Sequence, residues 1–459
     1  MFIYKKTQLV GYLSFKQGEY QFVYDKQYLS QNGARALSPD LPLTNTIFTS
    51  EKIFTVFEQV IPEGENRKRL ERKVKSANDF DLLPYLKDIY GDLQFSKTPL
   101  AFDDEDTYQF NYVEVKTEIL ADNTFPNVLN LEVKIDDEKL FPSHNTNLNT
   151  FYPSGLSGFQ NKLPVIINNK SIRYPKKNEA SVYFLKPYNI YKADPASQFY
   201  LPHLAINEHL FMTFAKNELG FDVPYSGIIK KNHDKEYHYL VKRYDRYKGY
   251  CFSFDEFANF VGLNSETKYL ITSEQMFKTI KKHLTLKKER LILLKYYFYS
   301  MLIVHEDMHS KNLSLLTEGK RISMAPLYDI ATTGIYQGYE RETALSIGGK
   351  YKNISPNVFC QLVNLLEVSE QRFNKAAADI LFQYTYKLPE YFDKLDTLAD
   401  IMFHKRTKVN LPGKKPKIIE SILLSERLRR KHQERIRQLE HKGWYKFLKT
   451  GTNFDILNY

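Results

Sequence analysis

Apolar residues change their period along the chain, and the changes divide it into segments. Near the N-terminus, Leu9-Val10-Gly11-Tyr12-Leu13-Ser14-Phe15 and Tyr20-Gln21-Phe22-Val23-Tyr24 are β-rich runs separated by Lys16-Gln17-Gly18-Glu19, which predicts a hairpin. Residues 54–60 and 66–75 read as helical. The stretch 102–139 opens on the acidic run Asp103-Asp104-Glu105-Asp106 and then reads as strand, a plausible junction. The polar run Ser143-His144-Asn145-Thr146-Asn147 leads into a loop containing Gly155 and Gly158. Strands are predicted at 164–168, 181–186 and 237–243, with a helix over 206–219 between the last two. Beyond residue 253 the pattern is mostly helical. Its most apolar stretch, 291–304, is too short to span a bilayer and reads as a buried helix.

Composition narrows the class. With 459 residues, 42% hydrophobic and 26% charged, the chain has ordinary globular composition, and the length suggests about three structural units. Cys251 and Cys360 are the only cysteines, too few for a disulfide framework or a zinc quartet, so a reducing cytosol is expected. The net charge is +11, and residues 405–449 account for it with 15 Lys/Arg against four Glu. That segment predicts a basic helix over 418–442. It is read either as a solvated face closing the fold or as a surface that attracts nucleic acid.

One window carries chemistry. In Val304-His305-Glu306-Asp307-Met308-His309-Ser310-Lys311-Asn312-Leu313, Asp307 and Asn312 have the D-x-x-x-x-N spacing of a kinase catalytic loop. Phosphoryl transfer needs such a pair: a carboxylate to orient and deprotonate the attacking hydroxyl, and an amide oxygen nearby to hold magnesium on the phosphates. Downstream, Ala325-Pro326-Leu327-Tyr328-Asp329 supplies a second carboxylate like the magnesium-binding Asp of kinases, although by itself it also suits a turn or helix cap. Upstream, Ser181-Val182-Tyr183-Phe184-Leu185-Lys186-Pro187 is a strand ending in a lysine, like the one that holds the α/β-phosphates. Glu208 lies in the following helix, where a carboxylate would pair with Lys186; the alternative for both is a solvated surface. Ser157-Gly158-Phe159-Gln160-Asn161-Lys162 lacks G-x-G-x-x-G. It still offers glycine backbone and a cation to phosphate oxygens, or it is an ordinary turn. Lys242-Arg243-Tyr244 leaves a strand as an inter-lobe hinge would.

In this order, these segments resemble the HipA family of bacterial serine/threonine toxin kinases. Further matches are Asn207-Glu208 opening a helix that closes with Leu219-Gly220-Phe221-Asp222-Val223-Pro224, Pro39-Asp40-Leu41-Pro42-Leu43, and Ile61-Pro62-Glu63-Gly64-Glu65-Asn66-Arg67. The resemblance implies an α+β, two-lobed protein-kinase-like fold with an N-terminal mixed α/β subdomain and a mainly helical C-terminal lobe. The expected boundaries are 1–105, 106–252 and 253–459. It implies Asp307 as base, Asn312 and Asp329 on Mg2+, and Lys186, paired with Glu208, on ATP. Residues 157–162 would lie over the phosphates, residues 242–244 at the adenine edge, and His309, Ser310, Lys311 and Tyr328 around the nucleotide. The partners it implies are a helix-turn-helix antitoxin, HipB, which binds operator DNA, and an aminoacyl-tRNA synthetase as phosphorylated target, so that translation halts. Three departures stand out. Val304-His305-Glu306 replaces the family's usual Gly-Asn, and Lys242 replaces a residue that is often acidic. Gly155 stands where many members carry a regulatory serine, so Ser157 becomes the candidate for self-phosphorylation. A catalytically impaired co-repressor and a small-molecule phosphotransferase are the alternative readings.

Overall fold

The computed structural model describes residues 1–102, 110–141, 161–176, 179–319, 321–399, 401–407 and 415–450. The N-terminal unit is built on an antiparallel sheet of five strands, in the order Phe48–Ser50, Glu19–Tyr24, Gln8–Lys16, Phe2–Lys5 and Leu93–Ser96. The predicted hairpin is its centre. Gln17 and Gly18 both take positive φ, 54° and 85°, the two-residue turn whose twist suits paired strands. Ile3, Val10, Leu13 and Phe22 face a separate core with Phe57, Ile61 and Leu70, on the helices Thr55–Glu58 and Gly64–Val74 and the chain between them.

A second sheet carries Lys186. Its order is Ser226–Ile229, His238–Lys242, Tyr183–Lys186, Leu163–Asn168, Ser171–Arg173 and Glu132–Val133, and only the last pairing is parallel. The helix Leu204–Asn217 packs on this sheet. It is buried along nearly its whole length, as expected of a helix so apolar on every side. Between residues 102 and 139, the described part is not strand throughout. Tyr112–Leu120 is a helix, because Asn111 caps it by accepting from the Val113 N–H at 3.0 Å and Glu114 suits the positive end of its first turn.

The C-terminal lobe is mainly helical. Its central helix, Lys287–Leu302, buries Leu293, Leu294 and every residue from Tyr296 to Leu302, and it delivers the chain to the D-x-x-x-x-N loop. A three-stranded sheet, Ser253–Glu256, Ser314–Glu318 and Arg321–Met324, interrupts the helical pattern. The basic segment also departs from expectation. Ile418–Leu423 is a strand paired with Met402–Arg406, and only Leu424–His441 is helix. That helix closes the lobe: Arg435 reaches Glu342 at 2.9 Å and the Met301 carbonyl, Arg427 donates to the Ile335 carbonyl, and Arg430 pairs with Glu420 and Glu426. No helix among the described residues is long and apolar enough to cross a membrane.

Arg243 ties the N-terminal unit to the rest. Its guanidinium is fully buried and directs two donors to Asp245, at 2.9 and 2.7 Å, and one to Ser181 Oγ at 2.9 Å. The carbonyls of Asp88 and Ile89 take the remaining contacts, at 3.2 and 2.8 Å. Gly91 completes the joint: its N–H donates to Asp245 at 3.0 Å, its φ is +71°, and a Cβ there would lie 3.2 Å from the Phe254 carbonyl. Burial works against the Asp245 charge, but Arg243 and Arg246 outweigh it and hold the carboxyl at about 2. Arg243→Lys cannot reproduce the planar fork. It is expected to destabilise the chain by about 2 kcal/mol, the scale of hydrogen bonds to a charged group, in urea titration at neutral pH. A depressed carboxyl stabilises the fold above its unfolded value of roughly 4. This contribution therefore fades as pH falls toward about 2, so the gap between variant and parent should narrow in acid.

Candidate active site

Most of the expected site residues that are described line one cavity of about 890 Å³ between the second sheet and the C-terminal lobe. Lys186 enters from the end of its strand, Glu208 from the buried helix, and Asp307, Asn312 and Asp329 from the loops below. Lys186 and Glu208 are not a solvated surface pair. Both are buried, with Nζ 2.7 Å from the carboxylate.

Asp329 is the electrostatic centre. Its Oδ1 accepts from Lys186 and its Oδ2 from Lys162 at 2.9 Å. Burial alone would raise its carboxyl, yet the two ammonium groups hold it well below the usual carboxylate range. Burial pushes Glu208 upward, opposed by Lys186 and reinforced by repulsion from Asp329. Burial works against the charges of Lys162 and Lys186, but Asp329 and Glu208 together oppose it and keep both as cations. The cluster thus has two ammonium groups facing one fully ionised carboxylate, with a second carboxylate behind. A phosphate chain and a divalent cation would redistribute these partners without importing new charged side chains.

The loop geometry follows from its sequence. After Leu302 the chain reverses through Val304, which takes φ +56°, a conformation that strains a β-branched residue. Glycine, usual here in the family the sequence resembles, adopts it freely. Thr333 supports the turn by donating its Oγ1–H to the Val304 carbonyl at 2.6 Å and accepting from the Glu306 N–H at 3.0 Å. Asn312 folds back, and its Nδ2 donates to the Asp307 carbonyl at 2.6 Å. That leaves the Asn312 amide oxygen without a hydrogen-bond partner among the described residues. One such oxygen and one carboxylate, from Asp329, suit a magnesium ion that takes its other ligands from phosphates and water. The Asp307 side chain stands at the mouth, about half exposed, with His309 Nε2 at 3.5 Å. Burial lowers His309 to about 4 and keeps it neutral at physiological pH.

Other expected contacts divide. Tyr328 stacks on Tyr244 at 5.8 Å and donates to the Lys311 carbonyl at 3.0 Å, forming a wall of the cavity. The backbone N–H groups of Lys242 and Arg243 bond the Tyr225 and Val182 carbonyls, both at 2.8 Å, so neither amide can also serve an adenine edge. Ser310, expected at the nucleotide, does not line the cavity, whereas Lys311 lines it but is already paired. Ser310 Oγ donates to the Lys268 carbonyl at 3.1 Å, and Lys311 lies between Glu63 at 3.0 Å and Glu256 at 3.6 Å. Asn161 accepts from Asn66 of the N-terminal unit at 3.1 Å. Ser157, Gly158, Phe159 and Gln160 lie outside the described residues.

Sequence reasoning missed three contributors. Glu63 belongs to the Pro62-Glu63-Gly64 run that marked the N-terminal unit, but nothing in that run announced a place at the cavity wall. Burial opposes its charge, and Lys311 and Lys268 override this to hold it at about 2. Lys268 and Tyr269 come from a segment with no recognisable motif.

The fold is of the two-lobed, kinase-like α+β class. Residues 154–388 match the HipA-like C-terminal domain and residues 1–96 the HipA N-terminal domain. The chain belongs to the HipA family. A curated relative, the putative kinase Y4mE of Sinorhizobium fredii, is 25% identical over 346 residues, covering 72% of this chain and 77% of the relative. The HipA of Shewanella oneidensis MR-1, solved with HipB and its operator DNA, superposes with a TM-score of 0.62 at 16% identity over 96% of both chains. That likeness extends the shared fold over almost the whole length.

Proposed function

We propose that the chain is an ATP- and magnesium-dependent protein serine/threonine kinase, the toxin of a toxin–antitoxin pair. The observation that carries this reading is the convergence of Lys186, Glu208, Asp329, Asn312 and Asp307 on one cavity, with the Lys186–Glu208 pair formed. Lys186 and Lys162 would neutralise the phosphates, and Asn312 and Asp329 would hold the metal, which would supply further positive charge against the phosphates. Asp307 would take the proton of a serine or threonine hydroxyl as its oxygen attacks the γ-phosphorus and the bond to ADP breaks. Growth inhibition through an aminoacyl-tRNA synthetase, and control by a helix-turn-helix antitoxin that carries operator DNA, complete the proposal.

Purified chain incubated with magnesium and labelled ATP should transfer phosphate to a protein in a cell lysate. Transfer to no protein at all would remove the kinase reading. Self-control belongs to the same reading. Mass spectrometry after incubation with ATP should find phosphate on Ser157, and none there in Asp307→Asn, because the transfer needs the base. A phosphate of about −1.5 to −2 charge on that segment would compete with the phosphates of the nucleotide.

A further inference from the structure

One oxygen of the half-exposed Asp307 carboxylate is already engaged. Between the helices Phe257–Val261 and Ser273–Ile280, the chain crosses in front of the loop, and Tyr269 Oη donates to Asp307 Oδ1 at 2.5 Å. The ring is fixed edge-on against His309, with centroids 4.8 Å apart and planes at 88°. This contact is built rather than casual. Ser310 holds the Lys268 carbonyl, Glu63 pairs with Lys268 at 3.3 Å, and Glu58 accepts from Ser265 Oγ at 2.8 Å. The crossing segment is thus clasped on one side by the catalytic loop and on the other by the N-terminal unit. The phenol gives its hydrogen to Oδ1, one of the two carboxylate oxygens able to receive the proton of an attacking hydroxyl. Burial and the Asp307 charge both push the phenol upward from its ordinary range, so it remains a donor at neutral pH.

We propose that Tyr269 is a specificity-determining residue. Its hydroxyl occupies Oδ1 of Asp307, so that water competes poorly there and an acceptor able to displace the phenol is favoured. This rests on the reading of Asp307 as the base. Water is the simplest competitor: its oxygen would bond to the γ-phosphorus, the bond to the β-phosphate oxygen would break, and ADP would leave while Asp307 takes the proton. With the phenol in place that reaction is suppressed. A carboxylate merely positioned by Tyr269 would lose activity toward every acceptor when the hydroxyl is removed. A reserved carboxylate gains activity toward water.

ATP hydrolysis without a protein acceptor separates the two. Tyr269→Phe keeps the ring against His309 and removes only the hydroxyl. Its kcat for hydrolysis should rise about tenfold, the scale of one hydrogen bond to a charged group, with KM for ATP unchanged. Glu63→Gln, which weakens the clasp on Lys268, should move kcat in the same direction by a smaller factor. Unchanged or lowered hydrolysis in a Tyr269→Phe protein that melts like the parent overturns the proposal, as does phosphate on Tyr269 itself, which would make it an acceptor. Asp307→Asn in the Tyr269→Phe background distinguishes the two layers of argument. If it abolishes hydrolysis while Tyr269→Phe alone changes nothing, the base stands and only the role of Tyr269 falls. If hydrolysis survives Asp307→Asn, the base assignment falls.

Discussion

Asp307→Asn is expected to lower phosphotransfer by about 10²–10⁴-fold, the contribution of a positioned general base, while the protein melts like the parent. The structure explains why folding should be spared. The loop is held through the Asp307 backbone, whose carbonyl accepts from Asn312, and not through the carboxylate. An asparagine still offers an oxygen to the Tyr269 hydroxyl, so the local hydrogen bond also has a substitute. What disappears is the ability to take a proton. Transfer of label from ATP, measured beside a thermal melt, checks both halves. Undiminished transfer in a folded variant would remove Asp307 from the chemistry.

Asp329→Ala should have the second large effect, and it should act on binding and stability together. The carboxylate lies between Lys162 and Lys186, whose side chains are 8% and 3% exposed. Removing one partner of a buried ion pair costs about 3–5 kcal/mol because a charge is left without compensation. Lys186 keeps Glu208 at 2.7 Å, so the lower end of that range is expected in denaturant titration. The same change should abolish the enhancement of ATP binding by magnesium. ATP without magnesium should bind at least as well as to the parent, since two ammonium groups no longer face a carboxylate. Asn312→Ala removes a neutral ligand and should weaken only the magnesium-dependent part, by less. Calorimetric titrations with and without magnesium separate these outcomes. Equal affinities in both variants and the parent would leave the two residues as structural groups.

Much of the site was legible before folding because its parts are short and local. A strand ending in Lys186, a buried helix bearing Glu208, and Asp307 five residues before Asn312 each depend on chain periodicity or close spacing. The departure at Val304 was also visible, although not its meaning: only the backbone shows that this position has positive φ. Two element assignments failed where local signals compete. Residues 418–423 extended a helical pattern into what became a strand, because Met402–Arg406 supplied a pairing partner. Residues 112–120, rich in β-branched side chains, became a helix capped by Asn111.

By itself, then, the sequence indicated most local elements and the candidate phosphate, metal and base groups, since those follow from period, spacing and side-chain chemistry. Tertiary structure decided what surrounds them. Glu63 and Lys311 are 248 positions apart yet 3.0 Å from each other. Asp329, from the C-terminal lobe, is shared between Lys186, at the end of one strand of the second sheet, and Lys162, just before another. Tyr269 lies on Asp307 from a segment without a motif. Contacts between distant segments are set by how whole faces pack, and neither period nor spacing along the chain carries that information.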